Sequence, residues 1–308
     1  MGPTTAVRLP QELIDEVISH LRDDKTMLST CSLVNHAWSP FARKLLFRSV
    51  HVSPAKMPTT PHEDYSSVDV PDWSAFPRLF GSMPRLASWV TELHIKGTST
   101  SAQRPISNFG GGLGDGSDDE GYWQSPDDKW HYIFPGIDTL YAVSQVLPKL
   151  RHMYLRDLVI KPGTQLPYHP TPLDTLSLKN VGVMLQGNVL WELFRLFSPR
   201  EHVLLDVFWR PSMEWTIQEP PSAPPSSSFV ARAWHLRGNP SVEYVLCHLA
   251  STSFINHAHS LDVALSDDIE LLALVALMKK SGSTLKELKL DVREAFFTFD
   301  QDVLMMCK

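Results

Sequence analysis

One phrase recurs along this chain and constrains its fold more than any other feature. Val90-x-x-Leu93-x-Ile95 is followed by Leu150-x-x-Met153-x-Leu155-x-x-Leu158, then by Leu173-x-x-Leu176-x-Leu178-x-x-Val181, and later by Leu285-x-x-Leu288-x-Leu290. Weaker copies are Val203-x-Leu205-x-Val207, Trp234-x-Leu236 and Leu261-x-Val263-x-Leu265. The alternation inside each copy has the period of a strand with one buried face. With Leu155, Leu178, Val207, Leu236, Leu265 and Leu290 as markers, the steps are 23, 29, 29, 29 and 25 residues. Helical spacing fills the intervals at Leu140 to Leu147, Val189 to Phe197, Val242 to Leu249 and Ile269 to Met278. The fold class is therefore α/β, with parallel strands joined by helical crossovers.

A strand and a helix every 23–29 residues resembles a leucine-rich-repeat solenoid, in degenerate form. Leu158 and Val181 stand where that family carries Asn or Cys, so the buried amide ladder of the family is expected to be missing. An ordinary α/β layer would give the same parallel strands. In either arrangement the residues between the paired apolar positions face away from the core. They are His152, Tyr154 and Arg156, then Ser177 and Lys179, then His235 and Arg237, then Lys289. This row is richer in cations and aromatics than the chain around it, and Tyr and Arg are favoured anchors at protein interfaces. It is the candidate binding face for a target protein with an acidic or phosphorylated segment, the alternative being a row of merely solvated polar side chains.

The first fifty residues have a different rhythm. Leu9, Leu13, Ile14, Val17, Ile18 and Leu21 make one apolar stripe on a helix, with Glu12, Asp15, Glu16 and Ser19 opposite. Pro10 suits the first turn. Asp24 is placed to cap a second helix carrying Met27, Leu28, Cys31 and Val34. Ser39-Pro40 is expected to cap and start a third, followed by Phe41, Leu45, Leu46 and Phe47, and Ser49 to Val52 alternates as a short strand. A unit of ~40 residues rarely folds alone, because it buries too little surface. Its apolar face calls for a cover, from this chain or from another protein.

The identities Leu9-Pro10-x-Glu12-Leu13-Ile14, Cys31-Ser32-Leu33-Val34-Asn35-His36-Ala37-Trp38 and Leu46-Phe47-Arg48 resemble the F-box, in the version common among basidiomycete fungal proteins. The resemblance runs from residue 8 to about residue 50. Asn35 departs from it, since many F-boxes place a second cysteine there. The resemblance implies docking on the Skp adaptor of cullin–RING (SCF) ubiquitin ligases through Leu9, Pro10, Leu13, Val17, Val34 and Trp38. It further implies a substrate-recognition role, with no catalysis by the chain itself. The expected organisation is an F-box at 1–52, a Pro-rich connection at 53–88 and a repeat domain at 89–308. The alternative is a leucine-rich-repeat scaffold, unconnected to ubiquitin, whose helical N-terminus only caps its own repeats.

Two loop-like stretches interrupt the pattern. Residues 98–129 combine Gly110-Gly111-Gly112-Leu113-Gly114 with six acids between Asp115 and Asp128, and are expected to be a disordered insertion. Their glycines fit no G-x-G-x-x-G register, and Glu120 occupies the place where a calcium loop starting at Asp115 needs glycine. The second stretch, Pro220-Pro221-Ser222-Ala223-Pro224-Pro225, has the composition of an exposed loop.

Several function classes fall away. The net charge is −6, with 28 basic against 34 acidic residues and no basic stripe, so nucleic acid does not fit as a partner. The longest apolar run, Leu271 to Met278, has eight residues, where a membrane span needs ~20. No membrane association is expected. Three cysteines without C-x-x-C spacing, no usable glycosylation acceptor and no leader pattern point to cytoplasm or nucleus. No G-x-S-x-G, H-E-x-x-H, P-loop or kinase motif occurs. His257 and His259 have no further ligand at metal spacing. No cofactor or metal is expected.

Overall fold

The computed structural model describes residues 9–53, 75–97, 135–161, 163, 170–184, 189–210, 231–237, 242–251, 254–265, 268–281 and 284–292. The acidic insertion at 98–129 and the Pro-rich loop at 220–225 lie outside the described residues. Three helices open the chain: α1 (Gln11–Ser19), α2 (Lys25–Val34) and α3 (Ser39–Leu46). Strand β1 (Ser49–Val52) follows directly, then α4 (Ala75–Ser82), α5 (Pro84–Ala87), β2 (Glu92–Lys96), α6 (Ile137–Val146), β3 (His152–Ile160) and β4 (Thr171–Met184). The remainder runs α7 (Val189–Leu196), β5 (Phe197–Arg210), β6 (Ala233–Arg237), α8 (Val242–Ser251), β7 (Ser260–Leu265), α9 (Asp268–Ser281) and β8 (Glu287–Val292).

The eight strands form one sheet in sequence order, β1 to β8, and every neighbouring pair is parallel. This is an α/β architecture, as the strand–helix spacing predicts. One face of the sheet is dry. Leu93 and Ile95, Met153 and Leu155, Leu176 and Leu178, Val203 and Leu205, Trp234 and Leu236, and Leu261 and Val263 are all buried there. The same cluster takes in α6, α7, α8 and α9. Helix α7 is apolar almost all round, and Phe194 on it meets Trp191 at 5.4 Å and Trp234 edge-on at 5.8 Å. A sheet covered by helices on both faces would show continuous apolar strands. Here most of the alternate positions are polar and at least partly accessible, so the other face is open.

The register corrects two of the sequence markers. Leu178 pairs with Leu205 and not Val207, and Leu236 pairs with Val263 and not Leu265. The steps between structurally equivalent residues Leu155, Leu178, Leu205, Leu236, Val263 and Leu290 are then 23, 27, 31, 27 and 27. Beyond the Leu178–Leu205 pair a bulge in β4 between Lys179 and Val181 places Val207 opposite Val181.

That bulge is part of a line of unusual backbone. Asp157 and Asn180 have φ of 53° and 52°, in the left-handed region where short polar side chains are tolerated. The Asn180 amide donates to the Asp157 carboxylate at 2.9 Å. In the neighbouring strand Gly97 donates its N–H to the Arg156 carbonyl at 2.8 Å, and a Cβ on Gly97 would lie 2.0 Å from the Asp157 carbonyl oxygen. This single polar pair lies one residue before Leu158 and Val181, which are buried and apolar.

Two further expectations shift. Residues 75–82 and 84–87, inside the connection expected at 53–88, are helical: Phe76 and Phe80 meet one turn apart (4.7 Å, rings tilted by 46°) and pack on the main core. Pro77 and Pro84 sit in first turns, where proline is compatible with a helix. Helix α3 begins at Ser39 with Trp38 at the cap position, so Ser39 is not the cap. Asn35 provides the local turn instead, its side-chain oxygen accepting the Ala37 N–H at 2.8 Å. Asp24 caps α2 as expected, accepting from Met27 N–H at 2.9 Å.

Candidate interaction surfaces

The three N-terminal helices enclose a small core of their own. Ile18, Leu28, Cys31 and Ala42 are buried in it, and Ile14, Leu21, Trp38, Phe41, Leu45 and Leu46 pack around it. The buried set uses one side of the α1 stripe. The other side is bare: Leu9, Leu13 and Val17, one turn apart each, are 61%, 54% and 62% exposed, and Leu33 and Val34 at the end of α2 are 80% and 67% exposed. Gln11 ties the start of α1 to the loop after α2 by donating to the Ala37 carbonyl at 3.1 Å. Of the six residues expected at an adaptor surface, Leu9, Pro10, Leu13, Val17 and Val34 are exposed, and Trp38 is half-buried against the small core. Leu33 and Met27 extend the bare surface beyond those six.

The second surface is the open face of the sheet. Its central row crosses all eight strands as His51, His94, Tyr154, Ser177, Leu204, His235, Asp262 and Lys289. A parallel row holds Ser49, Glu92, His152, Thr175, His202, Ala233, Ser260 and Glu287. A shorter one holds Lys96, Arg156, Lys179, Asp206 and Arg237. The expected target residues His152, Tyr154, Arg156, Lys179, His235, Arg237 and Lys289 all lie on this face.

Its cations are not the isolated charges that composition suggests. Arg156 pairs with Asp157 at 3.0 Å, Arg237 and His235 share Asp262 at 3.3 and 3.2 Å, and Lys289 meets Glu287 at 3.0 Å. The Lys289 and Ser260 hydrogen bonds hold the Glu287 carboxyl below its ordinary value. His152 Nδ1 lies 3.2 Å from Thr175 Oγ1. The face is a lattice of matched polar groups, with charge of both signs.

Sequence reasoning missed His51 and His94. Their rings stack at 4.2 Å, inclined by 7°, and His94 stacks in turn on Tyr154 at 4.4 Å and 10°. Burial lowers both imidazoles from their ordinary value of 6.5. Lys25 adds to the shift at His51 and the His51 ring adds to it at His94, while Glu92 opposes at both. Burial raises the Tyr154 phenol, with Glu92 contributing. Neutral imidazoles can stack without mutual repulsion, and their edges still offer one donor and one acceptor each. The signal was present in the sequence: His94 is the middle residue of Leu93-x-Ile95, and His51 that of Val50-x-Val52.

Together these features define a parallel α/β protein with one open polar face and a helical N-terminal unit bearing a bare apolar stripe. The chain matches no family model and no curated protein sequence. Among the described residues no helix is long and apolar enough to cross a membrane, and no cluster of three or more His, Cys, Asp or Glu is placed to hold a metal.

Proposed function

We propose that this chain is the substrate-recognition subunit of an SCF (cullin–RING) ubiquitin ligase. In this reading α1–α3 form an F-box that docks on the Skp adaptor, and β1–β8 form a degenerate leucine-rich-repeat solenoid whose open face holds the target. The chain contributes proximity and orientation, and the chemistry belongs to the ligase. The observation that carries the proposal is the bare stripe of Leu9, Leu13 and Val17 beside exposed Leu33 and Val34. Large apolar side chains grouped on one surface mark an interaction site. The sequential order of the parallel strands supports the solenoid, since each strand–crossover unit then meets only its neighbours.

The alternative, a repeat scaffold whose helices merely cap its own sheet, draws support from β1, which joins those helices directly to the sheet. It leaves the outer stripe without a purpose. The deciding experiment is the double change Leu9→Ala with Pro10→Ala. The variant should lose the adaptor in a pull-down while keeping the circular dichroism of the folded sheet. Undiminished adaptor capture would refute the F-box assignment.

A further inference from the structure

An open cleft runs between the N-terminal helices and α5, apart from both surfaces described above. It has two lobes, of about 570 and 460 Å³, which share Pro40, Arg85 and Trp89. The floor is apolar: Leu46, Phe47 and Leu86 line the first lobe and Phe41 the second. The rim is basic. Arg43 borders the first lobe, Lys44 the second and Arg85 both. Arg43 and Lys44 sit in the last turn of α3, Arg85 in α5, and all three are exposed. The Arg85 guanidinium lies 5.6 Å from the centre of the Trp89 ring, which holds it at the junction of the lobes. Asp15 is the one carboxylate among the lining residues, and it already accepts the Gln11 amide at 2.7 Å. Among the described residues no ion pair engages Arg43, Lys44 or Arg85, in a chain of net charge −6.

This contrasts with the open sheet face, where the arginines and the lysine of β8 have acidic partners of their own. We infer that the cleft binds an extended acidic peptide segment of a partner protein, its carboxylates on Arg43, Lys44 and Arg85 and an apolar side chain over Pro40 and Trp89. The distribution of charge selects this ligand class. A small anion is held by donors that converge on one point, whereas here the cations are spread along both lobes. Nucleic acid would bring a dense negative charge against an acidic molecule. A peptide matches the mixture of apolar floor and spaced cations, and complementary charge would speed its encounter.

The test uses the full chain and a fluorescein-labelled peptide of Asp and Glu residues around a central Phe, read by fluorescence anisotropy. Binding should weaken as salt rises. The same peptide with Asn and Gln in place of its acids should bind about tenfold more weakly or not at all. Arg43→Glu with Arg85→Glu, both at exposed positions, should cost about tenfold or more in affinity while the melting temperature stays within a few degrees. Lys279→Glu, at an exposed position in the last turn of α9, should bind as the unchanged chain does. Equal binding of the uncharged peptide, unchanged binding by the doubly reversed variant, or no binding of the acidic peptide to the folded chain would overturn the inference. Displacement of the peptide by low concentrations of inorganic phosphate would overturn it too, by showing a small-anion site.

Discussion

The docking stripe allows a quantitative test in which affinity and stability separate. Consider Leu9→Ala combined with Leu13→Ala. Each change removes three carbon atoms, worth about 0.8 kcal/mol apiece when fully transferred out of water. Only the exposed share, 61% for Leu9 and 54% for Leu13, is available to a partner. If the partner covers both fully, the pair loses about 2.8 kcal/mol of docking, or roughly 100-fold in Kd. The share already covered inside the chain sets an upper limit of about 2 kcal/mol on the loss of folding stability. Ile18→Ala is the contrasting case. Ile18 is 1% exposed within the small core, so its truncation should cost about 2–5 kcal/mol of stability and leave the affinity of the folded fraction nearly unchanged. Titration calorimetry with purified adaptor gives the first quantity and thermal denaturation the second. An affinity within about threefold of the unchanged chain for the Leu9/Leu13 variant would refute the stripe as the docking surface. So would a larger stability loss for that variant than for Ile18→Ala.

Other consequences follow from particular contacts. Gly97→Ala would place a Cβ 2.0 Å from a backbone oxygen, so β2 must shift away from β3; the expected loss is about 2 kcal/mol or more by chemical denaturation, and an unchanged midpoint would contradict the packing. The His51–His94 stack should make stability acid-sensitive. Both folded pKa values lie below 6.5, so the unfolded chain takes up these protons first; the stabilisation is present above pH 6.5 and is lost as pH falls through the folded values. Melting temperatures from pH 5 to 8 should therefore fall less on the acid side for His51→Phe with His94→Phe, which keeps stacked rings without the protons. On the open face, Tyr154→Ala with Arg156→Ala and Arg237→Ala should release the target from co-purification and leave the adaptor bound. In the Arg237–Asp262 pair Arg237 is half-exposed and Asp262 largely covered, and the pair contributes about 1 kcal/mol to folding, so retention of both partners would move the target site elsewhere.

The parts of the fold that were legible in the sequence are those with strong period. Alternating apolar residues in β3, β4 and β7 and the apolar spacing of α6 to α8 report burial directly, because each buried position must be apolar whatever its neighbours do, whereas the same patterns in β8 and α9 leave Leu290, Ile269 and Leu272 exposed. Strand pairing was less legible where register depends on a single extra residue. Val203, Leu205 and Val207 alternate alike, so the sequence does not tell Leu205 from Val207 as the partner of Leu178, and nothing in Lys179-Asn180-Val181 signals the bulge at Asn180. The helices at 75–87 were hidden by proline, whose meaning depends on its position within a turn. The polar row was legible as a face but not as a set of contacts. Which acid meets Arg156 or Arg237 depends on side chains brought together from adjacent strands or by a left-handed backbone, and composition carries neither. The basic cleft was illegible for the same reason: Arg85 is far from Arg43 along the chain and beside it only after α5 packs near α3.

The connection between the two surfaces is short and tight, and this bears on how such a chain could work. Helix α3 ends at Leu46 and β1 starts at Ser49, so only Phe47 and Arg48 separate the N-terminal unit from the sheet. Those residues are held in place. The Arg48 carbonyl accepts the N–H groups of Thr91 and Glu92 at 2.9 and 3.0 Å, the Arg48 guanidinium meets Glu92 at 3.2 Å, and Lys25 reaches the Ser49 carbonyl at 3.4 Å. A flexible linker would hold a target at a high effective concentration but in many orientations. A joint in which the first strand of the sheet grows out of the third helix allows few orientations. The stripe on α1 and the stacked rings of His51, His94 and Tyr154 then sit in a defined relation to one another. Under the proposed function, that relation is what the fold contributes, since transfer to a bound target depends on where its reactive groups are held.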